Sequence, residues 1–307
     1  MTHPRPWSRG LAIAAAATLA LSPALLPARA RATDGSPDPI NITPPLTSPD
    51  PVNVTPPPLA APRPGTFCDN SLAPAINTIV DAGGLARGRW GLRIETLDGN
   101  KVLYSRNADQ FFIPASNIKL FTTAGALQMY APNAPISSSN LGAWVRTINQ
   151  QSNNGLADTL LRRLGGPAAI RDALSKIGVS PAGYRQADGS GLSRQNLVTP
   201  IATLAVLRSM YTTAAGKEVF FASLPIAGQS GTLARRFRGT PAQGRVRAKT
   251  GTLQGVRALS GYLEHPEYGL LIFSIYANHP GQNQSLVNAI DQVVLRLTQV
   301  RPCEQGF

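Results

Sequence analysis

The chain has 307 residues, 43% of them hydrophobic, and carries a formal net charge of +13. That length permits one large domain or two modest ones, and the apolar share supplies a real core, so a wholly disordered or fibrous chain is excluded. The positive charge fits peripheral contact with an anionic wall or membrane surface as well as it fits a solvated basic face. Nucleic acid is set aside, because the basic residues are scattered and no aromatic ladder accompanies them.

Arg5 and Arg9 precede a run of small apolar residues from Leu11 to Leu26, and Ala28-Arg29-Ala30 fits a small-residue cleavage site. Residues 1–32 therefore read as a secretory signal, with an uncleaved membrane anchor as the alternative. The run is short for a spanning helix and is broken by Pro23. The remainder is expected to be exported, to the periplasm or the extracytoplasmic cell wall. Residues 33–66 form a Pro-rich linker in which Ile40–Pro45 is echoed by Val52–Pro57. Such composition favours an extended spacer that builds no core.

The globular part is expected over 67–307. A first helix is predicted at about 69–82. Leu92–Thr96 and Lys101–Tyr104 then alternate around Asp98-Gly99-Asn100, the pattern of a β-hairpin. Helical periodicity dominates from about 117 to 216. Strands return with Val246, Ala248 and Thr250 on one, Val256–Leu263 on a second, and the nearly all-apolar Gly269–Ala277 on a third. A last helix at about 283–300 carries Leu286, Ile290, Val293, Val294 and Leu297 at helical spacing. This order predicts an α/β fold of the α+β kind. Strands from both ends meet in one antiparallel sheet flanked by helices, and the middle block forms a helical subdomain.

Two cysteines, Cys68 and Cys303, bracket this region. If the first and last helices pack antiparallel, the cysteines become neighbours, and an oxidising compartment would join them. Closing so long a loop contributes roughly 4–5 kcal/mol in the chain-entropy account, less any strain. Two cysteines without CxxC spacing do not make a metal site.

Three short strings follow one another: Ser116-Asn117-Ile118-Lys119, Ser152-Asn153-Asn154 and Lys249-Thr250-Gly251. Each alone reads equally as an ordinary feature: a helix cap with a solvated lysine, a turn before a helix, and a lysine on a sheet edge. Together they resemble the S-x-x-K, S-x-N and K-T-G motifs of penicillin-recognising serine enzymes. Two longer stretches are more specific, Asp188-Gly-Ser-Gly-Leu-Ser-Arg194 with Val198-Thr-Pro200, and Ala227-Gly-Gln-Ser-Gly-Thr-Leu233. With them the chain resembles the D-alanyl-D-alanine carboxypeptidase/endopeptidase family, the S13 peptidases of the penicillin-binding protein 4 type, over about residues 69–300.

The resemblance implies the serine β-lactamase/DD-transpeptidase fold. It implies a serine-type D-Ala-D-Ala carboxypeptidase acting through an acyl-enzyme, with peptidoglycan peptides as substrate, β-lactam antibiotics as inhibitors, and no cofactor or metal. Ser116 would be the nucleophile, Lys119 its base, Ser152 the proton relay to the leaving amine, and Asn154 the residue that holds Lys119. Lys249 would be the second cation. Thr250 and Thr252 would bind the substrate carboxylate, and Gly251 would let substrate backbone approach. The N–H groups of Ser116 and Thr252 would form the oxyanion hole. No role attaches to the Ser190 hydroxyl. Full-length members carry a long insert between the first two motifs, and the short stretch from Ser116 to Ser152 leaves no room for it. Asn153 also stands where Asp is common.

Two other functions remain in view. A β-lactamase needs a base for fast deacylation. Between Ser152 and Lys249 the sole glutamate is Glu218, which reads as a helix-surface residue. A non-catalytic peptidoglycan-binding module would be favoured by loss of a motif residue, and none is lost. His265 and His279, each beside a proline in turn-like sequence, read as solvated.

Overall fold

The leader expected at residues 1–32, and the Pro-rich stretch up to residue 64, lie outside the residues described by the computed structural model, which are 65–212, 216–281 and 284–303. The described residues belong to one compact unit. Five strands build an antiparallel sheet: β1 (Arg89–Thr96), β2 (Val102–Arg106), β3 (Val246–Leu253), β4 (Val256–His265) and β5 (Gly269–Asn278). Their spatial order is β2-β1-β5-β4-β3, so strands from both ends of the sequence do meet in one sheet. Strand β3 lies at an edge, with the Lys249-Thr250-Gly251 string in its middle and not at its end.

The period of two along each strand divides the apolar residues between two cores. Ala258 and Tyr262 of β4, with Ile272 and Tyr276 of β5, join the core under the helical block. Leu259 and Leu263, with Leu271, Phe273 and Ile275, join the core on the opposite face. Strand β5 sits at the centre with both faces covered, which is why its sequence is continuously apolar.

Helices α1 (Leu72–Val80) and α8 (Gln284–Leu297) cover one face. The predicted stripe Leu286, Ile290, Val293, Val294 and Leu297 is buried there. Phe67–Cys68 pairs in parallel with Val300–Arg301, and Cys68 is bonded to Cys303 with Cα atoms 4.6 Å apart. The other face carries α2 (Ile118–Met129), α3 (Leu141–Gln150), α4 (Asn154–Arg163), α5 (Gly166–Ser175), α6 (Pro200–Thr212) and α7 (Lys217–Ser223). Helix α2 is buried continuously from Ile118 to Leu127, so it forms the axis of the block and has no polar face.

The two histidines depart from expectation, since His265 and His279 are both buried. Each closes a turn. His265 Nδ1 accepts from the N–H groups of Glu267 and Tyr268, at 3.1 and 3.2 Å. His279 Nδ1 accepts from Gly281 N at 3.0 Å, which leaves Nε2 to donate to Gly84 O at 2.9 Å. Among the described residues, no helix is long and apolar enough to cross a membrane.

Candidate active site

Ser116 lies in a 3-10 turn, Ala115–Asn117, that runs directly into α2. The residue before it, Ala115, has a left-handed backbone with φ of 47°. A non-glycine residue in that region is held there by its surroundings. Part of the hold is Gly191, whose absent Cβ would overlap the carbonyl oxygen of Ala115. The glycine-rich stretch therefore shapes the serine turn from outside it.

Lys119, the second residue of α2 and one turn after Ser116, is fully buried. Its Nζ donates to Ser116 Oγ at 2.9 Å, to Asn154 Oδ1 at 2.8 Å and to the carbonyl oxygen of Ser190. All three ammonium protons are thus directed. Burial brings this lysine down to about 8, against the opposing pull of Asp158 and Asp188. A lysine so placed supplies an appreciable neutral fraction near physiological pH.

Asn154 opens α4, and Asn153 caps that helix by accepting from Leu156 N at 2.9 Å. An asparagine does this as well as an aspartate, which accounts for the substitution in the second motif. Ser152, just before the cap, is also left-handed, with φ of 57°. Lys249 is fully buried and donates from Nζ to Ser152 Oγ at 3.0 Å and to Thr250 O at 3.1 Å. Burial, then the nearby Lys119 charge, holds it well below the ordinary lysine range. The site therefore contains two serine–lysine pairs, joined through a shared electrostatic environment.

The edge of β3 is paired only over its first half. Ala227 N donates to Val246 O at 2.9 Å and Ala248 N donates to Pro225 O at 3.0 Å. By the alternation of an antiparallel strand, the N–H groups of Thr250 and Thr252 point toward the same edge. Thr252 is exposed there, with its backbone directed away from β4. The expected oxyanion donors thus lie on two separate elements, the serine turn and β3. Gly251 has a reason of its own in the fold. A Cβ on it would stand 2.6 Å from Pro114 O and 2.9 Å from the Ala258 side chain. Its lack of a side chain lets β3 close on the serine turn.

Three residues of the site were not assigned a role from sequence. Thr232 Oγ1 accepts from Thr250 Oγ1 at 2.8 Å, which brings the Ala227–Leu233 stretch to the site. Ser190 contributes its carbonyl oxygen, whereas its hydroxyl accepts from Leu192 N at 3.4 Å. Asp188 holds that loop in shape by accepting from Gly191 N at 2.6 Å and Ser193 N at 2.7 Å. The glycine-rich strings were the available signal, but a string of that kind does not say which of its atoms faces a site. Among the described residues, the one group with metal-ligand chemistry is Cys68, Asp69 and Cys303, and its two sulfurs are bonded to each other.

Comparisons with known proteins give a family and a fold. The model of the D-Ala-D-Ala carboxypeptidase 3 (S13) family matches residues 72–139 and 131–300. The two matched stretches meet between the first two motifs, where full-length members carry their insert. A penicillin-sensitive carboxypeptidase A of Dictyostelium discoideum is 37% identical over 167 residues, 48% of this chain and 32% of that protein. A D-alanyl-D-alanine carboxypeptidase of Actinomadura sp. (strain R39) is 44% identical over 165 residues, 48% of this chain and 30% of that protein. The aligned part thus spans about a third of the length of these relatives. Penicillin binding protein 4 (dacB) of Haemophilus influenzae superposes with a TM-score of 0.62 at 14% identity, covering 73% of this chain and 99% of that one. The TLA-1 extended spectrum β-lactamase superposes with a TM-score of 0.61 at 16% identity, covering 76% of this chain and 98% of that one. These two likenesses show the serine β-lactamase/DD-transpeptidase fold. With its family model matched across both cores and all three motifs, the chain belongs to the D-Ala-D-Ala carboxypeptidase 3 (S13) family.

Proposed function

We propose that the chain is a serine DD-carboxypeptidase, with endopeptidase action on D-Ala cross-links as the same chemistry on a larger leaving group. Its substrates are peptidoglycan peptides, and β-lactams inhibit it by forming the same ester. The contact that carries the reading is Lys119 Nζ to Ser116 Oγ at 2.9 Å, with burial bringing that lysine to about 8.

Neutral Lys119 takes the proton of Ser116 Oγ as the oxygen attacks the penultimate D-Ala carbonyl. The N–H groups of Ser116 and Thr252 receive the oxyanion. As the C–N bond breaks, Ser152 Oγ delivers a proton to the leaving amine, and the proton that Lys119 took from Ser116 makes good the loss through the adjoining Lys249–Ser152 pair. Terminal D-alanine departs; water then attacks the ester carbonyl, giving a proton to Lys119, which returns it to Ser116 Oγ as the acyl C–O bond breaks. Thr250, with Thr232 beside it, receives the terminal carboxylate on the open edge of β3.

Among the described residues, no carboxylate bonds Ser116 or Lys119. Asp158 and the two oxygens of Asp188 accept from backbone N–H groups of the loop instead. Glu218 is exposed on α7. These facts favour slow deacylation over β-lactamase action. Export through the 1–32 leader, and peripheral contact of the basic protein with an anionic wall or membrane, belong to the same proposal. The test is D-alanine release from a synthetic peptide ending in D-Ala-D-Ala. Release by the wild type that is lost in Lys119→Ala supports the proposal. A wild type that acylates with penicillin yet releases no D-alanine from any such peptide overturns the substrate.

A further inference from the structure

Asn117, the second residue of the first motif, is fully buried although it is neither nucleophile nor base. Its Nδ2 donates to the carbonyl oxygen of Lys249 at 3.1 Å. That bond ties the serine turn directly to β3. The other end of the same amide is spent on nothing. Asn117 Oδ1 is buried with no partner. Leaving an acceptor unpaired in the interior is destabilising. A hydrophobic residue of similar shape would avoid that cost, so the donor is what the position retains.

The two elements it joins are those that carry the oxyanion donors. Asn117 follows Ser116 directly, and Lys249 lies in the same strand as Thr252. Gly251 allows the approach, since its Cα faces Pro114 O and the Asn117 amide. The amide bond then sets how far the approach goes. A carboxylate in place of the amide would repel the Lys249 carbonyl, and a longer cationic side chain would hold the strand away.

We propose that Asn117 is a positioning residue that fixes the spacing between the Ser116 and Thr252 N–H groups. This rests on the acyl-enzyme reading above. It goes beyond that reading by assigning a task to a motif residue that performs no proton transfer.

The test compares wild type, Asn117→Ala and Asn117→Leu in acylation by benzylpenicillin. Leucine has nearly the shape of asparagine and removes both the donor and the orphan acceptor. Its melting temperature should therefore stay close to wild type. Acylation should fall roughly 10- to 100-fold, less than or similar to the loss of a whole oxyanion donor. The fall should appear in the maximal rate, with penicillin binding unchanged. The ester carbonyl stretch of the acyl-enzyme in the infrared should move to higher wavenumber as the hole loosens. If the leucine variant does not fold, Asn117→Asp keeps the shape without the amide donor and should show the same band shift. A wild-type rate and an unmoved carbonyl band in a folded variant overturn this inference alone. Absence of any adduct on the wild type overturns it together with the acyl-enzyme reading.

Discussion

Gly191 abuts the carbonyl oxygen of Ala115, the residue that turns the chain into Ser116. The glycine has a φ of 88°, a backbone region that side chains disfavour, and a Cβ there would also stand 2.9 Å from Ser116 N. Gly191→Ala therefore carries two penalties at one place, backbone strain and a clash with the peptide of the nucleophile. The expected result is a destabilisation of about 1–3 kcal/mol, with a larger loss of acylation than the fall in melting temperature accounts for. Thermal denaturation and penicillin acylation on one preparation measure both. An alanine variant that acylates at the wild-type rate would remove the role given to this loop.

The pH dependence of acylation follows from Lys119. In the proposed mechanism the reactive form is the neutral amine, and burial brings the lysine to about 8. The rate should therefore rise with pH and level off above about 8. At pH 7, roughly a tenth of the molecules carry the neutral base. Stopped-flow acylation between pH 5 and 10 reports the midpoint. A rate that is flat through 8, or one that falls there, contradicts Lys119 as the base.

The disulfide offers a test that leaves the chemistry untouched. Cys68 and Cys303 tie the strand before α1 to the strand after α8, on the face of the sheet away from the helical block. Cys68→Ser should lower stability by about 2–5 kcal/mol, seen as a lower urea midpoint. Penicillin acylation of the folded fraction should keep its rate. An unchanged midpoint would mean that the bond constrains nothing in the unfolded chain.

Much of this architecture was legible in the sequence because period and position coincide. The alternation of Leu92 and Ile94 in β1, the stripe of α8 and the apolar run of β5 each report directly which faces are covered, whereas in β2 the neighbouring Leu103 and Tyr104 are buried in one core. The meeting of strands from the two ends of the chain in one sheet was legible too, whereas their order within it was not. What was not legible depends on contacts far apart in sequence. Ser190 reads as a hydroxyl in a glycine-rich loop, yet the site uses its carbonyl oxygen. Thr232 is one small polar residue among several until β3 sets Thr250 against it. The two histidines looked solvated because turns usually are. Their rings are buried because each accepts an N–H from the turn that it closes. Asn117 sits inside a recognised motif, but its burial and its bond to Lys249 depend on a strand more than a hundred residues away.

Every step proposed above depends on esterification of Ser116. The most direct measurement is the intact mass of the purified protein, mixed with benzylpenicillin and followed over time, beside Ser116→Ala. The account predicts a wild-type mass increased by one penicillin, persisting for many turnovers' worth of time, and no increase in the variant. A wild type with no adduct, or an adduct that survives in Ser116→Ala, would contradict it. An adduct that disappears as the drug is consumed would keep the serine and replace the carboxypeptidase with a β-lactamase.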